Sequence, residues 1–418
     1  MHAESAPFVV IGAGPAGLMA AETLATQGYA VQLFDRMPSP ARKFLLAGRG
    51  GLNLTHSEPL EQFTKRYGHA AAWMEPCLHD FPPDALRAWC EGLGQETFVG
   101  SSGRVFPRAM KAAPLLRAWL RRLAALGVQY YPRHRWVGWY EDQLLFEDAQ
   151  QKPIAVRPPA ALLALGGGSW PRLGSDGGWV APLVKRGVDV VRLAPANCGF
   201  TVAWSEFFRT RFAGQPLKPL GVSYDRVRRQ GEAMITPTGI EGGLIYALSS
   251  KLRDAIARNG TTTLMLDLRP TMTLDALAQK FGAPRRSKSL SSYLRSAGFS
   301  PVAVALLQEC YAKDVVQQAG PEQLARMLKQ LPLTLTGTTG MDRAISTAGG
   351  IAREAVDDQF MLRNIPGLFV AGEMLDWEAP TGGYLLQGCF STGRAAALGM
   401  LRYALGDHTT MTEVPHAL

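Results

Sequence analysis

The apolar run Phe8-Val9-Val10-Ile11 leads into Gly12-Ala13-Gly14-Pro15-Ala16-Gly17 and then into a helical pattern from Ala16 to Gln27, with Leu18, Ala21, Leu24 and Ala25 on one face. A strand, a tight glycine turn and a helix in that order predict a dinucleotide-binding βα unit. Gly12 allows the turn, Gly14 lets backbone approach a pyrophosphate, and Gly17 lets the helix pack on the strand. Phosphate charge then meets the helix N-terminus. A second apolar run, Ala30 to Phe34, ends in Asp35 and Arg36. An acid about 20 residues past such a turn is placed to bind a ribose hydroxyl.

A second glycine-rich segment lies near the other end of the chain. Asn364-Ile365-Pro366-Gly367 reads as a turn, Leu368 to Ala371 as a buried strand, and Gly372-Glu373 follows, with Gly382-Gly383-Tyr384 a little further on. Gly388 to Leu401 reads as an Ala/Gly-rich helix. Together the two glycine segments predict one FAD site assembled from both ends of the sequence. Between them, Ala41 to His56 packs glycines, arginines and Lys43 into one loop that can lay N–H groups and cations against phosphate. Ala160 to Leu165 followed by Gly166-Gly167-Gly168 reads as a buried strand returning to the parallel sheet, with Gly166 where backbone meets ligand.

With 418 residues and 47% apolar residues, the chain has material for two domains and a full core. No apolar run approaches the roughly 18 residues of a membrane span, and no basic segment precedes Phe8, so a soluble cytoplasmic protein without a membrane partner is expected. The five cysteines (Cys77, Cys90, Cys198, Cys310, Cys389) show no CxxC and no metal-ligand clustering, which argues against disulfide exchange and metal chemistry. They read as packed free thiols.

Charge is unevenly spread. Arg192 to Lys329 holds 19 Lys and Arg against 10 Asp and Glu, which accounts for the whole net charge of +9. That block suggests a module with an anionic partner; short solvated clusters such as Arg226-Val227-Arg228-Arg229 and Arg285-Arg286-Ser287-Lys288 fit it equally. Composition also shifts near Pro195. The fold expected is α/β: a Rossmann-like FAD domain split into 1–194 and 336–418, with an insertion at 195–335. The insertion is β-rich over 195–250 and a helical cluster over 251–335. Residues 58 to 126 read as mostly helical, and short β runs follow from Val128 to Arg157.

The sequence resembles the YhiN/BaiN-like flavoproteins of the two-dinucleotide-binding-domain superfamily. The resemblance covers nearly the whole chain. Beyond the segments above, it rests on Gly103-Arg104-Val105-Phe106-Pro107, Thr236 to Gly242 and Thr347-Ala348-Gly349-Gly350-Ile351. It implies that Arg42, Lys43, Gly51, Asn53 and Thr55 lie along FAD, that Val137 meets adenine through its backbone, and that Gly372 and Glu373 reach the ribityl chain. Gly383, Tyr384 and Leu385 would border the isoalloxazine. Leu52 stands where many members have cysteine, and Pro237 where many have histidine, so a mechanism through either is excluded here.

A flavin carries out hydride transfer, and the protein supplies position and a proton. With no second GxGxxG unit, NADH or NADPH would be a transient donor. The resemblance implies reduction of a carbon–carbon double bond, which also needs an acid near the substrate. Glu241, in a glycine-bounded loop, is the first candidate, although such a carboxylate is equally a solvated loop residue. Tyr384 is the second, with Asp376 and His56 behind. The substrate is read as a small molecule or, from the basic insertion, an RNA: relatives are linked to reduction of ribosomal RNA uridine to dihydrouridine. No run of interleaved aromatics of the base-stacking kind supports RNA. A non-catalytic FAD-containing ribosome- or RNA-associated protein is the remaining alternative.

Overall fold

The computed structural model describes residues 6–406 apart from 49, 284, 286 and 287; the Arg49 and Arg286 readings lie outside the described residues. The chain divides into two compact units. One comprises residues 1–194 and 346–418, the other 195–345.

The first unit is built on a five-stranded sheet in the order Leu368–Val370, Ala161–Leu163, Phe8–Ile11, Val31–Asp35, Gln129–Pro132. Every pairing in it is parallel. Phe8–Ile11 is central and wholly buried, which is why it is a continuous apolar run and not an alternating one. Strands from the two ends of the sequence thus flank the same strand, Ala161–Leu163. Helix Pro15–Thr26 starts with proline, whose fixed φ suits a first turn. Helix Tyr384–Leu405 packs on it closely: a Cβ on Gly393 would lie 2.3 Å from the Ala16 carbonyl oxygen.

The unit also contains two small three-stranded antiparallel sheets. Arg135–Tyr140, Gln143–Glu147 and Pro153–Val156 form one. Thr55–His56, Arg104–Pro107 and Thr97–Val99 form the other, so the stretch read as mostly helical also carries a sheet. Likewise the Ala41 to His56 loop contains helix Arg42–Ala47. The C-terminal helix begins at Tyr384 instead of Gly388, which places Tyr384 and Leu385 in its first turn.

The second unit is a seven-stranded sheet in the order Leu331–Leu335, Thr262–Asp267, Pro216–Tyr224, Val227–Thr236, Gly239–Glu241, Phe200–Thr201, Gly337–Thr338. Five helices between Leu274 and Lys329 share its core, with Leu277, Leu294, Leu306 and Leu328 fully buried. Two expectations are corrected. Thr262–Asp267 and Leu331–Leu335 put strands in the half read as helical, because they pair with each other and with Pro216–Tyr224. The unit also runs to 345 rather than 335, since Gly337–Thr338 pairs with Phe200–Thr201.

Candidate cofactor site

A cleft of about 330 Å³ opens at the glycine turn of the first unit. Its floor is Gly12 to Ala16, with Asp35 and Arg36 on one side and Gly372 and Glu373 on the other. The turn works as its sequence suggests. Gly12 sits at φ +104°, and a Cβ on Gly17 would lie 1.9 Å from the Gly12 carbonyl oxygen, so the helix can approach only without a side chain there. A Cβ on Gly14 would meet no protein atom within 4 Å; the space it faces belongs to the cleft. Helix Pro15–Thr26 has no side-chain cap, so its first-turn N–H groups are left for a ligand.

Asp35 ends its strand with both oxygens engaged: Ala13 N–H and Met37 N–H each donate to it at 2.7 Å. Burial raises its pKa, against those two hydrogen bonds. Val137 lines the cleft at a β-bulge: Trp136 faces Phe146 and Gly138 faces Leu145, which leaves Val137 without a cross-strand partner and its backbone outside the ladder. That is the state required of a residue that reads an adenine through its main chain.

Lys43 and Glu373 lie in the cleft as expected, but bonded to each other at 2.7 Å. Lys43 also donates to Ser169 Oγ (2.6 Å), and Glu373 accepts from Thr347 N–H (2.8 Å). Arg42 lines the cleft, and its buried Nε has no partner. Gly166 is there too, its carbonyl taken by Trp179 Nε1 at 2.8 Å. Gly372 touches the glycine turn: a Cβ on it would lie 2.9 Å from Ala16 Cβ.

Seven expected cofactor residues do not line this cleft: Gly17, whose role is to let the helix pack, and Gly51, Asn53, Thr55, Gly383, Tyr384 and Leu385. Several of them assemble around Thr55. Gly383, at φ +98°, lies so close to it that a Cβ would fall 2.4 Å from Thr55 Cα. Asn53 Oδ1 and Thr55 Oγ1 are buried without partners, polar atoms that a ligand would satisfy. Tyr384 is 4% exposed, and its hydroxyl is already committed, donating to Glu58 at 2.6 Å. Glu58 in turn is held by Arg66, which lowers its pKa, while burial and then the Glu58 carboxylate raise that of the Tyr384 phenol. His56 stacks on the Tyr384 ring at 5.5 Å and accepts the Glu58 N–H at Nδ1. Glu58 and Arg66 carry no sequence signal; they are joined only by folding.

Asp376 sits 3.6 Å from His69, its pKa raised by burial. Cys389 lines the cleft, and burial pushes its thiol up to about 12, so it holds no thiolate at neutral pH. Glu241 belongs to the other unit. It is half-buried and lies in strand Gly239–Glu241 opposite Met234, not in a loop; Gly239 allows that strand to press on Phe200.

The open turn, the ribose acid, the bulge at Val137 and the orphaned polar atoms fit FAD, with Gly12 to Gly17, Asp35, Arg42 and Val137 as the residues that would hold it. Residues 6–399 match the family described as HI0933-like protein Rossmann domain. A 3-dehydro-bile acid delta(4,6)-reductase of Clostridium scindens is 25% identical over 93% of this chain and 98% of its own. A ribosomal RNA dihydrouridine synthase of Haemophilus influenzae is 22% identical over 94% and 98%. Among solved structures, the open conformation of a flavocytochrome c3 fumarate reductase superposes with a TM-score of 0.52 at 16% identity, over 96% of this chain and 79% of that one. A 3-ketosteroid delta1-dehydrogenase of Sterolibacterium denitrificans gives 0.52 at 12% identity, over 97% and 100%, so this fold carries flavoenzymes. No helix among the described residues is long and apolar enough to cross a membrane. With the match spanning nearly all of the chain, the protein belongs to the HI0933-like Rossmann-domain family and is an FAD-dependent oxidoreductase.

Proposed function

We propose that the protein uses NADH or NADPH to reduce a carbon–carbon double bond of a small molecule. The observation that carries this is the cleft formed by Gly12 to Ala16, Asp35 and Gly372 in a chain that is similar over nearly its whole length to a 3-dehydro-bile acid delta(4,6)-reductase. When bound, FAD supplies the hydride. The chain's own residues hold the dinucleotide at the turn, screen its phosphates with the helix N-terminus and Arg42, and provide a proton. Family membership as an oxidoreductase removes the non-catalytic alternative.

The proton is assigned to Glu241, with Tyr384 second. Tyr384 keeps its proton at neutral pH, but that proton is directed at Glu58. Glu241, half-buried in strand Gly239–Glu241, has no ion-pair partner among the described residues.

The test is anaerobic. The purified protein should carry FAD, and its flavin absorbance should bleach on addition of NADH or NADPH and return when a conjugated enone is supplied. Glu241→Gln should bleach normally and reoxidise roughly 10²–10⁴-fold more slowly. Full reoxidation in that variant moves the assignment to Tyr384→Phe. Absence of bleaching by either nicotinamide overturns the proposed donor.

The basic block supports a second reading, reduction of uridine in ribosomal RNA. Arg226, Arg228 and Arg229 are exposed at the Pro216–Tyr224/Val227–Thr236 hairpin and form no ion pair among the described residues. RNA affinity through them would fall steeply with salt, and neutralising them would flatten that slope. Salt-independent RNA binding, or none, leaves the small-molecule reading alone.

A further inference from the structure

The segment following the triple glycine carries side chains that the mechanism does not use. Leu173 to Asp176, with Gly178 and Trp179, lines the same cleft as the glycine turn. It is tied down at several points. Arg36, directly after the ribose acid, donates from Nη1 to Asp176 Oδ2 at 2.5 Å and from Nη2 to the Pro171 carbonyl at 2.9 Å. Gly174 is pressed on Met37, where a Cβ would come within 2.9 Å of Cγ. Asp176 Oδ1 accepts the Gly178 N–H at 3.0 Å, which closes a turn within the segment.

Within this well-bonded segment one group is left over. Ser175 is 6% exposed, it lines the cleft, and its hydroxyl has no partner. A buried hydroxyl without a hydrogen bond is unfavourable, and such groups usually mark a place where a ligand completes the bonding. Arg36 Nε is likewise buried and unpartnered, although both terminal nitrogens of the same guanidinium are used. The two leftover donors lie on the two sides of the same contact.

We propose that Pro171 to Trp179 is a clasp for the bound dinucleotide: Ser175 Oγ bonds to it directly, and the Arg36–Asp176 pair keeps the clasp closed. Release of FAD then requires that pair to open. The pair is partly exposed, with side chains 27% and 39% accessible, so it is weak enough to break and re-form and is screened by salt. Retention of the cofactor is therefore set partly by a contact remote in sequence from the glycine turn. The inference rests on FAD occupying this cleft.

The experiment measures FAD affinity and dissociation rate by flavin fluorescence, with the thermal midpoint of each apoprotein as a check on folding. Ser175→Ala should weaken FAD about 5-fold to 20-fold, as expected for one hydrogen bond to a ligand, with an unchanged apoprotein midpoint. Asp176→Asn keeps the Gly178 turn and loses the charge; it should speed FAD release about 3-fold to 10-fold and remove the acceleration of release that salt causes in the wild type. Wild-type rates in both variants, with Gly14→Val still unable to bind FAD, would overturn the clasp and leave the cofactor site standing. A wild-type protein that takes up no FAD would overturn both. If either variant fails to fold, Arg36→Gln tests the same latch from its other side, and an unchanged release rate there overturns it.

Discussion

The helices of the two units begin differently. In the inserted unit, Ser205, Thr273, Ser289 and Ser300 each accept a backbone N–H of the first turn through the side-chain oxygen. No described α-helix of the cofactor unit has such a bond; Gly14 and Gly383 stand at the starts of two helices that pack on each other, Pro15–Thr26 and Tyr384–Leu405. A cap satisfies the orphan donors from within and stabilises the helix. A glycine in its place leaves those donors open and lets another molecule approach. Four helices of the insertion use their ends for their own stability, and the helix that starts after Gly14 in the cofactor unit leaves its end available for an anion.

Gly14→Val and Gly17→Ala put the largest strain on that contrast. Nothing in the protein meets a Cβ at Gly14, whereas one at Gly17 collides with the Gly12 carbonyl. Gly14→Val should therefore fold with a normal apoprotein midpoint and lose FAD affinity by at least about 100-fold, the ~3 kcal/mol expected of a steric overlap with the ligand. Gly17→Ala should lower the apoprotein midpoint itself. Absorbance spectra and thermal melts of the two variants separate these outcomes; equal losses of stability would show that Gly14 is packing, not ligand space.

Asp35→Ala comes next. Its carboxylate accepts Ala13 and Met37 N–H groups, so removal loosens the turn as well as the ribose contact. FAD should bind more weakly by roughly 1–3 kcal/mol. A titration with no change in affinity would separate the acid from the ribose.

The turn, the parallel sheet and the return of Ala161–Leu163 are legible in the sequence because each depends on local signals: continuous apolar runs, glycine spacing and a following helix. The bulge at Val137 and the strands at Thr262–Asp267 and Leu331–Leu335 are not legible, because pairing between residues this distant leaves no mark on local periodicity. The same limit hides Glu58 and Arg66. Tyr384 reads as a residue beside a flavin because it follows two glycines, but its hydroxyl is directed by a carboxylate 326 positions away. Asp176, by contrast, sits in a visible glycine-rich stretch, and only its partner Arg36 gives it meaning.

Glu58→Gln tests that long-range contact. The Arg66 hydrogen bond holds the Glu58 carboxyl below its usual range. A depressed folded pKa contributes stability above the unfolded value of 4.5, and that stability is lost as pH falls through the folded value. The variant should be less stable by about 1–2 kcal/mol at pH 7, with the gap to wild type closing below pH 4.5. A gap independent of pH would mean that the glutamine disturbs packing and not charge.

Ser300→Ala should have the smallest effect and sharpens the comparison from the other side. Ser300 Oγ accepts the Ala303 N–H at 3.3 Å at the start of helix Pro301–Cys310, whose Leu306 and Leu307 are fully buried in the core of the insertion. Loss of this cap should cost about 1 kcal/mol of stability. Because the helix end serves the insertion's own fold, flavin affinity and the visible spectrum should not move. A fall in FAD affinity in this variant would break the distinction between helix ends that satisfy themselves and those left for a ligand.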